Sequence, residues 1–323
     1  MPRLTKNTSL EWKADPSGSF NSYAVSGLNY DPNQALNITN NNFVGAYQSD
    51  KDRVGGKFTG VSFTSELRGF DASTGGPVPE GVWLQACGFE RADDGSPLVE
   101  EWTYTLGDPH DTGDGGDFLA PTAVGHTVDG FKTWIDTPAA DVTFNWNATA
   151  IPTMEFTARG LYRAAGAADT PAAFLVGAIP VAVGGYGLSV TPSGSSAITT
   201  LRVASISYAL GNTINERPAV GGSGGFGFAA PRVVSREPVI TAVIEMDKTT
   251  LTSFEALYNA RTRMLWEFTH NAAGAAGNVI DVSFSSHVKA HPTYTDDNGI
   301  YMVTLVMQQS IESGATPLTL VFS

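Results

Sequence analysis

Val142-Thr-Phe-Asn-Trp-Asn-Ala-Thr-Ala-Ile-Pro-Thr-Met-Glu-Phe-Thr-Ala-Arg159 is the stretch that decides the fold. Val142, Phe144 and Trp146 alternate with Thr143, Asn145 and Asn147. Beyond a turn at Pro152, Met154, Phe156 and Ala158 alternate with Glu155, Thr157 and Arg159. Alternation with period two puts one face of a strand on a core and the other on water. Two such runs joined by a short turn predict an antiparallel hairpin with a single apolar face.

The same pattern recurs on either side. In Lys57–Arg68, Val61, Phe63 and Leu67 share one face, and Ser62, Thr64, Glu66 and Arg68 share the other. Strands are also expected over Val99–Leu106, Val239–Met246, Met264–His270, Val279–Val288 and Ile300–Gln309. Asp296-Asp-Asn-Gly299 is a turn signal before the last of these. Two helices interrupt the strands. Pro79 to Gly88 has Pro and Glu at its start and Gly at its end, with Trp83 and Cys87 one turn apart. Ser253 to Arg263 follows Thr252 and Glu255 at capping-box spacing, with Phe254, Leu257, Tyr258 and Arg261 at helical spacing. The expected fold class is mainly β, an antiparallel β-sandwich or half-barrel with short flanking helices.

Four segments follow. Residues 1–50, rich in Asn, Ser, Gly and Tyr, are expected to form an irregular arm with at most short strands. Residues 51–165 and 198–323 both carry strand, short helix, strand, turn and strand, an order that suggests an internal duplication. The Ala/Gly/Pro-rich residues 166–197 connect them.

Composition narrows the function. The chain has 323 residues, of which 42% are hydrophobic, 16% are charged and 35 are glycine. The formal net charge is −13. Lys and Arg are not clustered as phosphate binding requires, and an acidic surface repels nucleic acid. A single cysteine, Cys87, rules out an intramolecular disulfide. It is expected to be a buried apolar residue and not a nucleophile. No apolar run approaches a membrane span, and Met1-Pro-Arg-Leu-Thr-Lys6 has no apolar segment behind it, so folding in a cytoplasm is expected.

Reactive chemistry has no visible constellation. Of five histidines, His110, His126, His270, His287 and His291, only His287 and His291 are close in sequence, and HExxH and CxxC spacings are absent. Four aspartates in the loop Asp108–Asp117 lack the alternation of a calcium-binding EF-hand and are expected to be a solvated loop. Gly221-Gly-Ser-Gly-Gly-Phe-Gly227 lacks the lysine and following helix of a phosphate cradle. The sequons Asn37-Ile-Thr39 and Asn147-Ala-Thr149 occur without a secretion signal. No catalytic, cofactor-binding or metal residue is assigned, and the chain is expected not to be an enzyme.

Phe63-Thr-Ser-Glu-Leu-Arg-Gly69, Leu84-Gln-Ala-Cys-Gly-Phe89 and Trp102-Thr-Tyr-Thr105 resemble the tail tube proteins of long-tailed bacteriophages with non-contractile tails. So do Val128-Asp-Gly130, Val142-Thr-Phe144 through Phe156-Thr-Ala-Arg-Gly160, and Asp297-Asn-Gly299 before a long closing strand. Val82-Trp83 departs from the Pro-x-Leu-like run common there. The resemblance implies a virion protein, assembled in the bacterial cytoplasm, whose rings stack into a tube around a DNA channel. Its implied partners are copies of itself, the tail tip or baseplate, the tail terminator, a tape-measure protein, and DNA held without sequence specificity. No membrane and no cofactor are implied. A ring of three chains with two tube modules each is expected, because the order of elements recurs on both sides of residues 166–197; the alternative is six chains with one module each. Ser62, Thr64 and Glu66 are candidates for the lumen or a subunit contact. Gly75 and Gly76, and Gly222 and Gly224, mark candidate loops between rings.

Two other classes compete. A carbohydrate-binding β-sandwich would stack sugars on Trp83, Trp102, Trp134, Trp146 and Trp266. A glycosidase would need two carboxyl groups roughly 5–9.5 Å apart.

Overall fold

Alternating sequence becomes alternating burial along the strands. It does so along Trp102–Leu106, Val239–Glu245 and Met264–His270 of the computed structural model, which describes residues 8–13, 21–23, 25–38, 53–70, 78–93, 101–107, 123–128, 131–167, 188–199, 201–218, 228–245, 248–271, 274, 276–297 and 299–323. The elements are β1 (Thr8–Lys13), β2 (Asn21–Tyr23), β3 (Ser26–Ile38), β4 (Arg53–Glu66), α1 (Gly81–Ala86), β5 (Phe89–Asp93), β6 (Trp102–Leu106), β7 (Ala123–Val128), β8 (Phe131–Asn147) and β9 (Thr153–Ala167). They continue as β10 (Ser189–Pro192), β11 (Arg202–Ala209), β12 (Asn212–Pro218), β13 (Phe228–Arg236), β14 (Val239–Glu245), α2 (Lys248–Ala260), β15 (Met264–His270), β16 (Ile280–Val288), β17 (Thr293–Asp297), β18 (Ile300–Gln309) and β19 (Thr319–Phe322). The protein is mainly β, antiparallel, with two short helices among the described residues.

Two layers face each other. One runs β3-β4-β9-β8-β11-β14-β18-β17. The other runs β10-β15-β16-β19-β6-β5. They join at a corner where Met307 to Gln309 of β18 pair with Ser286 to Val288 of β16. Aromatic contacts fill the space between them. Trp146 meets Phe268 at 5.3 Å, Tyr208 meets Phe284 at 5.3 Å, and Phe89 meets Phe144 at 6.1 Å, all near-perpendicular. Edge-to-face geometry is what ring quadrupoles favour. Segments 51–165 and 198–323 share this sheet, through β8 and β11, and share one apolar core.

β8 belongs to two pairings. Its first residues pair with β7, which carries β1 and β2 outward, and Thr143–Asn147 pair with β11. Between them the register against β9 shifts at Asp136/Ala139. β1 folds back over the first layer, so that Trp12, Trp83 of α1, Phe63 of β4 and Phe156 of β9 form one aromatic group. Gly69 follows β4 where the chain touches the loop before β16. A Cβ there would lie 1.9 Å from the Gly277 carbonyl oxygen, which accepts the Phe70 amide. Only glycine fits that approach.

Several expectations need correction. The first 50 residues include β3, a strand of 13 residues. Its own apolar pattern is weak, and pairing with β4 makes it a strand, through three register shifts. The second helix starts at Lys248, so Thr252 lies inside it and is not its cap residue. Phe254 is buried and Leu257 and Tyr258 are half-buried as spaced, but Arg261 is exposed beyond the helix end, in the left-handed region at φ 49°. The strand expected from Val99 begins at Trp102, and the one expected from Lys57 begins at Arg53. The β12–β13 hairpin went unforeseen. Its strands mix Thr213 and Asn215 with half-buried Ile214 and Val233, and Pro218 and Pro231 interrupt them. The alternation needed to see a strand is missing.

Candidate functional site

Ser62, Thr64 and Glu66 lie on the outer face of β4, half-buried, while Val61, Phe63 and Leu67 point into the core. Pairing extends this outer face strand by strand. Ser62 and Thr64 stand beside Thr157 and Glu155 of β9, and these beside Asp141 and Thr143 of β8. Asn145 of β8 stands beside Ser207 of β11, Ser207 beside Thr241 of β14, and Thr241 beside Val306 of β18. The result is one broad, mostly polar surface of short side chains. Neighbours satisfy one another across it. The Asn145 amide donates to Glu155 at 3.0 Å, and the Ser207 hydroxyl donates to Asn145 at 2.9 Å. Arg68 pairs with Glu66 at 3.0 Å. Cations on this face are matched by acids: Arg159 with Glu216 at 2.6 Å and Arg202 with Glu245 at 3.6 Å.

The β12–β13 hairpin is a separate two-stranded sheet, and an isolated hairpin is only marginally stable. Its base is clamped. Arg236 donates to the Asn212 side-chain oxygen at 2.8 Å, to the Gly107 carbonyl at 2.7 Å and to the Cys87 carbonyl at 2.9 Å. The Asn212 amide donates to the Cys87 and Ala140 carbonyls, and its backbone N–H donates to Asp141. Burial pushes the Asp141 carboxyl up, and the Asn212 and Val142 amides and the Arg236 charge oppose that. Gly211 makes the turn at φ 64°, where a Cβ would sit 2.5 Å from the Glu237 carbonyl oxygen. Arg236→Met removes three charge-assisted bonds while keeping most of the apolar stem. It should lower stability by about 2 kcal/mol. Limited trypsin digestion should then cut after the exposed Arg232 well below the denaturant concentration that unfolds the whole chain, which checks that the hairpin opens first.

The other candidates divide. Gly75, Gly76, Gly222, Gly224 and the loop 108–117 lie outside the described residues. Among the described residues, no group of three His, Cys, Asp or Glu is placed to hold a metal, and no helix is long and apolar enough to cross a membrane. His270 is buried, and His291 sits between Tyr258 and Tyr294 with its ring edge-on to both. Cys87 is fully buried at the end of α1, where burial raises its thiol well above the usual range; it is a packing residue with an accepting carbonyl. Trp83, Trp102, Trp146 and Trp266 are all buried, so none presents a face to a sugar. The side chain of Trp134 is outside the described set.

A buried polar pair escaped the sequence reading. Ser65 points inward from β4 and donates to Glu80 at 2.7 Å, and Glu80 itself is fully enclosed ahead of α1. Its second oxygen has no partner in the structure. Burial raises the Glu80 carboxyl from 4.5 to about 7, against the Ser65 hydrogen bond and the Arg68 charge. The signal available was Ser65, a polar residue on the apolar face of an otherwise regular strand. No family model matches the chain, and comparison with curated proteins gives no match.

Proposed function

We propose that this chain is a structural subunit of a bacteriophage tail tube, assembling with copies of itself into stacked rings around a channel. The observation that carries the reading is the wide polar face running from β4 to β18 on a sheet whose other face is core. A channel wall needs many short, mutually hydrogen-bonded side chains and cations that are matched by acids. The face carries Glu66, Glu155 and Glu245, and its Arg68, Arg159 and Arg202 each stand beside an acid: Glu66, Glu216 and Glu245. On a chain of net charge −13, a wall whose cations are matched would hold phosphates weakly and let DNA slide. Closing the sheet between subunits also removes the exposed edges that long strands present. Tail tip, terminator and tape-measure proteins would be the partners, and the virion the location.

Electron microscopy of the purified chain across a concentration series tests this. Hollow stacked rings are expected, with three-fold averages if each chain supplies two modules and six-fold averages if it supplies one. A monomer at every concentration that binds on a glycan array would instead favour the sugar-binding alternative. Exposed Tyr301, next to Tyr294 at 6.2 Å, would then be the surface to mutate.

A further inference from the structure

Two features at opposite ends of the first layer fit each other. Ile311 is 96% exposed in the loop after β18, far beyond any other large apolar residue described. The loop holds it in a fixed place. Ser310 donates its amide to the Ser285 carbonyl, Ala315 donates to the Glu312 carbonyl, and Arg263 donates to the Ser313 carbonyl at 3.1 Å. Gly314 turns the chain at φ 76°. An apolar side chain presented to water on a braced loop has lost the freedom that binding would otherwise take from it.

At the other end is an apolar groove of about 180 Å³, lined by Trp146, Leu188, Leu201, Val203, Ile206 and Phe268. An apolar cavity of about 150 Å³ is enough to hold a benzene ring. The groove therefore has room for one branched aliphatic side chain. The ends are fixed by register. Gln308 lies beside Val239, and Val239 beside Ala209, so Ile311 follows the end of the sheet marked by Ala209. Leu201 and Val203 flank Arg202 at the start of β11, seven residues or ~23 Å away along the strand. Charge agrees as well. Arg202 is 81% exposed at the groove rim, 3.6 Å from Glu245 of its own chain, and Glu312, exposed beside Ile311, would be a second acid for it.

We infer that Ile311 of one copy seats in the Leu201–Val203–Phe268 groove of a copy in the next ring, with Glu312 meeting Arg202. The contact rests on the proposed assembly of the chain with itself and names how successive rings grip. A knob at one strand end and a groove at the other make a head-to-tail contact. Such a contact propagates along an axis and does not close on itself.

The test is assembly of wild type, Ile311→Asp, Arg202→Glu, Glu312→Arg and the double charge swap, followed by sedimentation velocity and electron microscopy. Because Ile311 is exposed, Ile311→Asp should melt like wild type. Its rings should form, but the concentration for half-maximal stacking should rise at least about tenfold. Each single charge change should weaken stacking, and the double swap should restore part of it. Tubes of Ile311→Asp that match wild type overturn the contact and leave the tube reading intact. Loss of the rings themselves, with the fold preserved, overturns the axial placement. A wild-type chain that never associates overturns contact and tube together.

Discussion

Trp83→Ala should cost the fold about 3–5 kcal/mol, the range for emptying a large aromatic site in a core. Trp83 is fully buried. Its ring meets Trp12 at 5.5 Å, Phe63 at 4.9 Å and Phe156 at 6.0 Å. One side chain thus joins β1, β4 and β9 to α1, and alanine takes a neighbour from each of three aromatic rings, leaving Phe63 its contacts with Trp12 and Phe156. A domain is stable by only about 5–15 kcal/mol, so the loss takes a large part of the total. Urea unfolding of both proteins gives the number. Trp83→Phe is the informative companion. The indole N–H has no partner in the structure, so phenylalanine removes an unsatisfied donor while keeping most of the ring. It should cost well under half as much as alanine. Equal losses for the two would mean that α1 packs around the indole shape and not around apolar bulk.

The second large effect is on pH dependence and runs through Glu80. Its folded carboxyl titrates at about 7 against an ordinary 4.5, raised by burial. A raised carboxyl means that the folded state holds a proton the unfolded chain has released. The stability this group contributes is fully present below about pH 4.5 and is lost as pH rises to about 7. A difference of 7 − 4.5 = 2.5 units at about 1.4 kcal/mol per unit makes the fall roughly 3 kcal/mol. Glu80→Gln keeps the length and the oxygen that accepts from Ser65, and it cannot ionise. It should match wild type near pH 4.5 and exceed it by roughly 3 kcal/mol at pH 8. Unfolding curves at four or five pH values between these limits check the sign. A stability difference that stays constant across the window would show that Glu80 does not carry the proton.

Where each strand faces a core on one side and water on the other, the pattern was readable before any coordinates. β8 and β9 pair in the register their alternation implies, with Val142 beside Phe156 and Phe144 beside Met154. β15, β16 and β18 fall almost where the sequence placed them. β3 and the β12–β13 hairpin were opaque for a common reason. Among the described side chains, Leu28 and Tyr30 of β3 and Ile214 and Val233 of the hairpin are only half-buried, and each element is held by a neighbour: β3 by β4, and the hairpin by Arg236 and Asn212. Long-range hydrogen bonds leave no period in a sequence. The candidate site divides in the same way. Ser62, Thr64 and Glu66 were legible as a polar face, because burial of Val61 and Phe63 forces them outward. That Thr157, Thr143, Ser207 and Thr241 continue the face depends on strand order, which pairing alone decides. Ser65 and Glu80 were hidden because two polar residues far apart in sequence meet inside the core.

The double membership of β8 sets how the molecule bears load. A pull along β8 is carried by rungs to β7 and β9 at one end and to β9 and β11 at the other, and these hydrogen bonds lie across the strand and so are sheared together. A pull on the tip of the β12–β13 hairpin instead opens its rungs one after another, down to the Arg236 clamp. Load along the long strands therefore meets many rungs at once, whereas load applied to the hairpin meets them singly and reaches the core only once the Arg236 clamp gives way.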